Sequence, residues 1–396
     1  MKRLIACMAG LCLLALMVGC GGVSSTGTFA YVANKSGGGF TVYTVNADGT
    51  LTLNSISPQN TPANPGPLDL VFTPNSKWAY FLDASGSHVY GYTRAGNGTL
   101  ASAVDTNGYS VGPGASSLVV STNSNFVYVA LPTTKQLAIY SIDQSTGQLS
   151  QVGSNINIGY AIDQLVMTPS GNLLLGLSTA QQVVVSWTLV SSTGVATQVA
   201  TTPVGIQPSY LALSTNGSYA YVMDHVATTT VTSGGASYTT PNIYGFSVLS
   251  SGVLQAMADS PFNENPDVNG VYPTNPVFAV TSNDNRYLFV ANQGTHNISS
   301  FKISTTTGEL TEVLGSKTVV NGITTSTASP FDCGTGCVSP YFMSVPAGNN
   351  ALYVLDPSSS SNKLFQFKID QNTGRLRAMT PASLSGLSTP NWITLK

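Results

Sequence analysis

Acid–base chemistry in this sequence would depend on three histidines, His88, His225 and His296, and on a small number of carboxyl groups. A histidine has a pKa near neutrality, and beside a carboxylate it can activate water for ester hydrolysis. A site built from His225 with Asp69 or Glu264 is therefore the candidate catalytic group. The alternative interpretation is that each histidine lies alone in a solvated loop.

The sequence offers little support for other chemistries. Only 14 of its 396 residues are Lys or Arg, and the formal net charge is −2. A nucleic-acid-binding surface needs a basic patch, which these few spread-out cations do not form. We identify no phosphate-binding glycine loop and no metal-ligand motif. We therefore expect no metal, no cofactor and no nucleic-acid partner.

The composition indicates an all-β fold. Hydrophobic residues make up 42% of the chain and charged residues 8%, well below the roughly 25% of a typical soluble domain. Thr, Val and Tyr are abundant, and these residues favour strands. Outside the first twenty residues, no segment has the 3.6-residue apolar spacing of an amphipathic helix.

The N-terminus has the pattern of an export signal. Lys2 and Arg3 precede the short apolar stretch Leu4–Val18, which ends in "LMVGCGG". This ending resembles the lipobox of bacterial lipoproteins, which implies cleavage before Cys20 and attachment of lipid to its thiol. An ordinary signal peptide is the alternative. We expect a signal peptide at residues 1–19, a lipidated tether at 20–28, and a protein anchored to the bacterial cell envelope that faces the periplasm or the exterior.

Two further cysteines, Cys333 and Cys337, lie in the short sequence "CGTGC". In an oxidising envelope such a pair predicts a local disulfide. A zinc site is the competing interpretation, but two cysteines without a nearby histidine do not complete a four-ligand shell.

One short phrase recurs seven times, as in "AYVAN", "AYFLD" and "LYVLD". Its copies are 46 to 68 residues apart and are centred on Tyr31, Tyr80, Tyr128, Leu175, Tyr221, Phe289 and Tyr353. Repeats of this length with several strands each are typical of β-propeller blades. The first copy lacks a preceding strand, whereas the chain ends in "STPNWITLK". We therefore predict a seven-bladed β-propeller over residues 29–396, in which the C-terminal strand joins the N-terminal blade.

The "YVAN" and "FVAN" phrases, the P-x-x-(I/L/V)-x-x-(S/T) strand and the blade length resemble the seven-bladed lactonase family. That family includes propeller-type 6-phosphogluconolactonases and YVTN-repeat surface proteins. The resemblance implies lactone hydrolysis, with an Arg-His pair after the proline of a first strand. No blade keeps this pair. The residues at these positions are Leu68-Asp69, Ser116-Ser117, Asp163-Gln164, Ser209-Tyr210, Val277-Phe278, Tyr341-Phe342 and Asn391-Trp392.

The second members of these pairs divide into two groups. Tyr210, Phe278, Phe342 and Trp392 are aromatic and occupy successive blades, whereas Asp69, Ser117 and Gln164 are polar. At the mouth of the channel the aromatic residues and Gln164 could bind a sugar ring or another small polar ligand. The alternative is that the aromatic residues only pack between blades.

Extra chain length is expected on the face where the innermost strands begin, which we call the top. It lies in a loop at Val226–Pro241, in the connection Ser260–Pro276 and around "CGTGC". Two functions follow from the sequence, and we predict the first of them, because no blade keeps the Arg-His pair; the second is the alternative. One is a lipid-anchored, monomeric module that binds a carbohydrate, another small ligand or a protein through these loops. The other is a hydrolase of an unphosphorylated sugar lactone, because few Lys or Arg are available to bind phosphate.

Overall fold

The computed structural model describes residues 28–61, 66–233, 236–267, 269–314, 317–320, 323–326 and 329–396. The predicted signal peptide, the lipidation site Cys20 and most of the tether lie outside these ranges and stay predictions. The described residues form strands and turns only. Within these ranges, no helix is long and apolar enough to span a membrane.

The predicted seven-bladed β-propeller is confirmed, because the strands form seven antiparallel sheets arranged in a ring. In blades two to seven, the first four strands follow one another in chain order from the centre of the ring outward. Blade one contains β1 (Phe29–Asn34), β2 (Gly39–Val45), β3 (Leu51–Leu53) and β4 (Gln59–Asn60). Blade two contains β5 (Val71–Phe72), β6 (Trp78–Leu82), β7 (His88–Arg94), β8 (Leu100–Ala103) and β9 (Tyr109–Ser110). Blade three contains β10 (Ser117–Val120), β11 (Phe126–Leu131), β12 (Gln136–Ile142), β13 (Leu149–Gln151) and β14 (Ile156–Asn157).

The second half of the ring is built in the same way. Blade four contains β15 (Gln164–Met167), β16 (Leu173–Ser178), β17 (Val183–Leu189) and β18 (Ala196–Pro203). Blade five contains β19 (Pro208–Leu213), β20 (Tyr219–Ser233), β21 (Ala236–Val248), β22 (Leu254–Ala256) and β23 (Phe262–Asn263). Blade six contains β24 (Pro276–Thr281), β25 (Tyr287–Asn292), β26 (Asn297–Ile303) and β27 (Leu310–Glu312), and a separate hairpin of β28 (Lys317–Val320) and β29 (Ile323–Ser326) precedes its last segment, β30 (Phe331–Asp332). Blade seven contains β31 (Met343–Ser344), β32 (Ala351–Asp356), β33 (Lys363–Ile369) and β34 (Leu376–Leu384), and the chain ends with β35 (Pro390–Leu395).

The ring closes as predicted, because β35 is the innermost strand of blade one. It pairs antiparallel with β1, with Val32 opposite Ile393 and Ala33 opposite Trp392. The backbones of Phe29 and Lys396 exchange hydrogen bonds of 2.7 and 2.9 Å at the end of this pairing. The two termini of the propeller therefore hold each other in one sheet.

The segment Val226–Pro241 differs from the expected loop. Strands β20 and β21 continue beyond the blade, with Thr229 opposite Thr240 and Ser233 opposite Ala236. The register shifts between Asp224 and Thr229, so a bulge separates this extension from the blade. Thr and Val are strong strand formers, which explains why an uncharged insertion forms a β-ribbon on the top face.

The recurring tyrosine links five of the seven blades to the next blade. In five blades its hydroxyl donates a hydrogen bond of 2.5–2.9 Å to the carbonyl of a turn glycine in the following blade. The pairs are Tyr31–Gly98, Tyr80–Gly147, Tyr128–Gly194, Tyr221–Gly308 and Tyr353–Gly49. Each of these glycines has a φ between 74° and 89°, a conformation that favours glycine. The recurring motif is therefore a contact between blades as well as a core strand.

Deletion of residues 391–396 should open the ring. The loss of the closing strand exposes the edge of β1 and removes the buried side chain of Ile393, so the free energy of unfolding should fall by about 5 kcal/mol or more. Urea unfolding measures the change. Lys396→Ala, which keeps the backbone pairing, should change stability by less than about 1 kcal/mol. A truncated chain as stable as the full chain would contradict the closure.

Replacement of Tyr128 by Phe tests one inter-blade hydrogen bond. The variant keeps the ring but leaves the buried carbonyl of Gly194 without its donor, which should cost about 1–2 kcal/mol in urea unfolding. Tyr341→Phe, at a side chain that is 40% exposed, is the control and should change stability by less than about 0.5 kcal/mol. Equal effects of the two variants would show that the hydroxyl of Tyr128 does not link the blades.

Candidate functional site

Seven equivalent side chains, one from the first strand or strand entry of each blade, form the candidate site. We call them the inner ring. They are Asp69, Ser117, Gln164, Tyr210, Phe278, Phe342 and Trp392. The first strands line the axis of the ring, and these residues lie near the top end of each strand. The fold thus gathers in one layer seven residues that are far apart in sequence.

Two polar members of the inner ring bind the backbone of the next blade. Ser117 accepts a hydrogen bond of 3.0 Å from the N–H of Leu165 through its Oγ. The amide of Gln164 accepts one from the N–H of Leu211 and donates one to its carbonyl, both at 2.9 Å. These side chains therefore have a structural task, because they satisfy backbone groups between neighbouring innermost strands.

The four aromatic members stack on one another. Ring centroids are 4.1 Å apart for Tyr210 and Phe278, 4.2 Å for Phe278 and Phe342, and 4.3 Å for Phe342 and Trp392. The two central rings are buried, whereas Tyr210 and Trp392 at the ends are half-buried. Packing between blades thus accounts for the middle of this aromatic arc. Its two ends keep surface that a ligand could contact.

The ends of the aromatic arc adjoin the polar members. Gln164 hydrogen-bonds with the hydroxyl of Tyr210 at one end. At the other end, Asn391 donates a hydrogen bond of 2.5 Å to the carbonyl of Leu68, which places Trp392 beside the blade that carries Asp69. The buried Nε1 of Trp392 has no hydrogen-bond partner among the described residues.

Asp69 is the one ionisable carboxyl group of the inner ring. It is 5% exposed, and it accepts hydrogen bonds from the backbone N–H groups of Leu82, at 2.8 Å, and Leu118. Burial raises the pKa of Asp69 to about 7, and the two backbone hydrogen bonds act in the opposite direction. A carboxyl group with this pKa can take up and release a proton at neutral pH.

His225 lies in blade five, three blades from Asp69. Burial lowers the pKa of His225, whereas the neighbouring Asp224 carboxylate and a hydrogen bond to the carbonyl of Pro276 raise it. Its Nε2 is buried without a partner among the described residues. Asp224 accepts hydrogen bonds from the backbone N–H groups of Gln207 and Val226, at 3.0 and 2.9 Å. The carboxylate beside His225 therefore organises the local loops.

Glu264 lies against the strands of blade six. Its carboxyl group contacts Ser299 and Asn292, and burial, together with the nearby carboxyl group of Glu312, raises its pKa to about 8. Asp69, His225 and Glu264 thus occupy separate places, each with its own partners. In the described part of the chain they do not form the water-activating pair that the sequence suggests.

The remaining histidines lie away from the inner ring. His88 begins β7, and its Nδ1 is 3.7 Å from the carboxylate of Asp83. The exposed His296 has a φ of 55° and lies in the turn between β25 and β26. It lines a groove of about 780 Å³ on blade six, which sequence reasoning did not identify.

The groove is formed by three connections and by the neighbouring blade. Its polar rim includes Asp267, Thr295 and Asp332, and its apolar wall includes Phe331 and Phe367. The predicted disulfide pair also lies here: Cys333 and Cys337 are bonded, with their Cα atoms 5.8 Å apart. Two of the three insertions that the sequence places on the top face, the connection Ser260–Pro276 and the segment around "CGTGC", therefore contribute to this groove.

One Gly-x-Ser-x-Gly pattern, at residues 108–112, could be taken for a nucleophile elbow. In the structure Ser110 is exposed and ends the short edge strand β9. A nucleophile elbow is a sharp strand-to-helix turn, and no helix follows Ser110, since the next element is β10. The pattern therefore does not form such a site.

The comparisons with known proteins agree with this architecture. Residues 24–178 match the family model described as "Lactonase, 7-bladed beta-propeller". No curated protein sequence matches the chain. The predicted resemblance to the seven-bladed lactonase propellers is confirmed, by this match over residues 24–178 and by the fold over the whole ring.

Several solved structures share the fold. A protein from Lactobacillus plantarum is 15% identical, with a TM-score of 0.69, 93% of this chain covered and 99% of that one. A candidate 6-phosphogluconolactonase from Bacteroides uniformis is 16% identical, with a TM-score of 0.68 and coverage of 94% and 100%. A periplasmic gluconolactonase from Pseudomonas aeruginosa is 15% identical, with a TM-score of 0.67 and coverage of 93% and 98%. At these identities the likeness establishes the fold alone.

The raised pKa of Asp69 predicts a pH-dependent stability. Because the folded state binds the proton more tightly than the unfolded state, the contribution of Asp69 is complete below about pH 4 and is lost as the pH rises through 7. Between pH 5 and 7 this lowers the free energy of unfolding by at most about 1.4 kcal/mol per pH unit. Asp69→Asn should reduce the slope in urea unfolding.

Asp143→Asn is the control for this measurement. A side-chain hydrogen bond from Ser145 is the main cause that lowers the pKa of the exposed Asp143 to about 2, so this group titrates below the window. The control should keep the slope of the parent protein. If Asp69→Asn also keeps it, the carboxyl group of Asp69 does not titrate as described.

Proposed function

We propose that this protein hydrolyses lactones of unphosphorylated sugars at the top of its central channel. The match of residues 24–178 to a lactonase family supports this reaction class. The observation that carries the proposal is the composition of the inner ring. It combines a carboxyl group that titrates near neutrality with an arc of four aromatic side chains.

Asp69 is the residue to which we assign the role of base. Blade two begins "GPLD" (Gly66 to Asp69), so Asp69 stands where the family's G-P-R-H phrase has histidine. Either residue can accept a proton from water at neutral pH when its pKa is near 7. The chain thus lacks the Arg-His pair but keeps a titratable group at the position of the histidine.

The reaction can be written with residues of the inner ring. Deprotonated Asp69 takes a proton from water as the water oxygen bonds to the lactone carbonyl carbon. The ring C–O bond then breaks, and the departing alkoxide receives that proton, which yields the open-chain hydroxy acid. Trp392 adjoins the blade of Asp69, and the accessible part of its half-buried indole ring is the surface that we assign to the sugar ring of the lactone.

The substrate class follows from charge and shape. None of the paired positions at the starts of the innermost strands holds Lys or Arg, and a phosphorylated sugar would need such a cation. Tyr210 and Trp392 keep accessible aromatic surface on which the apolar face of a sugar ring can stack. A neutral sugar lactone matches both features.

A binding module without catalysis is the second candidate. The contacts of the polar ring members favour it, because Ser117 and Gln164 are engaged by the backbone of the next blade. A ligand would then bind through the top-face loops. The two candidates differ in whether chemistry follows binding.

A lactonase assay separates the two candidates. We expect the protein from residue 21 onward to hydrolyse glucono-δ-lactone faster than buffer and to prefer it to the 6-phosphorylated lactone. The value of kcat/KM should rise with pH through about 7, because the base must be deprotonated. Asp69→Asn should lower kcat by about 100-fold or more.

Ser117→Ala, at the next position of the inner ring, is the matched control and should keep most of kcat. If no lactone is hydrolysed above the buffer rate, or if Asp69→Asn keeps full activity with an unchanged pH profile, the proposed reaction is wrong. Quenching of Trp392 fluorescence by sugars without turnover would then favour the binding module.

A further inference from the structure

Glu264 occupies a position that other blades fill with uncharged side chains. The position directly follows the short outer segment that pairs with the third strand of a blade. Its counterparts after β4, β9, β14 and β30 are Thr61, Val111, Ile158 and Cys333, each at most 7% exposed. Glu264 is 1% exposed. A buried ionisable group at a position where three of these four blades have an apolar residue requires polar partners.

The surroundings of Glu264 are rich in oxygen. One carboxylate oxygen, Oε2, contacts the hydroxyl of Ser299. The Nδ2 atom of Asn292 lies 2.9 Å from this Oε2, 2.9 Å from Ser299 Oγ and 3.0 Å from Asn297 Oδ1. All four side chains are buried. Apart from Nδ2, the polar atoms that meet here are oxygens.

The hydrogen bonds of this cluster are incomplete. The amide of Asn292 has two N–H groups for three neighbouring acceptors, and its own Oδ1 is buried without a partner among the described residues. The other carboxylate oxygen, Glu264 Oε1, is likewise buried and unpartnered. Rotation of the amide of Asn292 by 180° would replace Nδ2 with Oδ1, and the cluster would then present oxygens alone.

We propose that Glu264, Asn292, Asn297 and Ser299 form a binding site for a calcium ion in blade six. Carboxylate, amide and hydroxyl oxygens are hard ligands, which Ca²⁺ prefers. In the pentagonal arrangement common for Ca²⁺, neighbouring ligand oxygens are about 2.8 Å apart. The Nδ2 atom of Asn292 is 2.9–3.0 Å from the three other oxygens, and after rotation of the amide Oδ1 would take this position at close to the required spacing. Water and nearby carbonyl groups would complete the shell.

Access to the site is provided by the groove on blade six. Asn297 lines the groove, as does Thr295, whose hydroxyl donates a hydrogen bond of 3.2 Å to Asn297 Oδ1. Asp267 and Asp332 on the rim add negative charge at the entrance. A cation is thus attracted to the groove, whose wall includes Asn297, one of the four proposed ligands.

A bound ion would join three segments of the chain. Glu264 belongs to the connection between blades five and six, Asn292 ends β25, and Asn297 and Ser299 belong to β26. Calcium should therefore stabilise the outer part of blade six against unfolding. Because the site is separate from the inner ring, lactone hydrolysis can fail or succeed independently of calcium binding.

Calcium titration of the EGTA-treated protein tests the proposal. We expect saturable binding by isothermal titration calorimetry and a rise of about 5 °C in the unfolding midpoint at 100 times the dissociation constant. Mg²⁺ should be much weaker, because it demands a small octahedral shell. Glu264→Gln should weaken Ca²⁺ binding at least 10-fold.

Two matched variants make the test independent of folding defects. Glu264→Val copies Val111 of blade two, so it should fold and should lose the response to Ca²⁺. Asp267→Asn changes the rim alone, and it should keep the shift in midpoint at saturation. If the parent protein shows neither calorimetric binding nor a shift at millimolar Ca²⁺, or if Glu264→Val keeps both, the proposal is overturned.

Discussion

The pairing of β35 with β1 is the constraint on which the rest of this structure depends. Six of the seven contacts between neighbouring blades join blades that are consecutive in the chain. The seventh contact must be made by residues from opposite ends of the sequence, with Val32 opposite Ile393 in the centre of the ladder. Only when this pairing forms do the seven inner-ring positions meet around one axis. Closure therefore creates the candidate site as well as the ring.

Neighbouring blades are held together by two kinds of contact, hydrogen bonds from side chains to the backbone and stacked aromatic rings. Tyrosine hydroxyls bind the turn glycines of the following blade near the bottom of the ring, whereas Ser117 and Gln164 bind the backbone of the following blade near the top. The aromatic arc replaces these hydrogen bonds with stacked rings over four successive blades. The division of the inner ring into polar and aromatic halves is thus also a division between two ways to join blades.

Much of the fold can be predicted from the sequence, because blades are local repeats with strong signals. Tyr31 and its counterparts each identify one core strand of a blade. A final strand without a partner in the sequence predicts the closure. The environment of Glu264 could not be predicted in this way, since Asn292 and Ser299 lie 28 and 35 residues away. The β-ribbon of blade five could not be predicted either, because a segment rich in Thr and Val after a strand can continue as strand or end in a loop.

Structural and chemical roles coincide at Asp69, and this coincidence explains its pKa. Its carboxyl group joins blades two and three, because it accepts hydrogen bonds from the backbone of Leu82 and of Leu118. These two hydrogen bonds by themselves favour the charged form. Its burial within the closed ring is the larger effect and favours the neutral form. The two effects leave a group that changes charge near neutral pH at the ring position that follows Trp392. Since burial depends on closure, the pairing of β35 with β1 also sets the proton affinity of the candidate base.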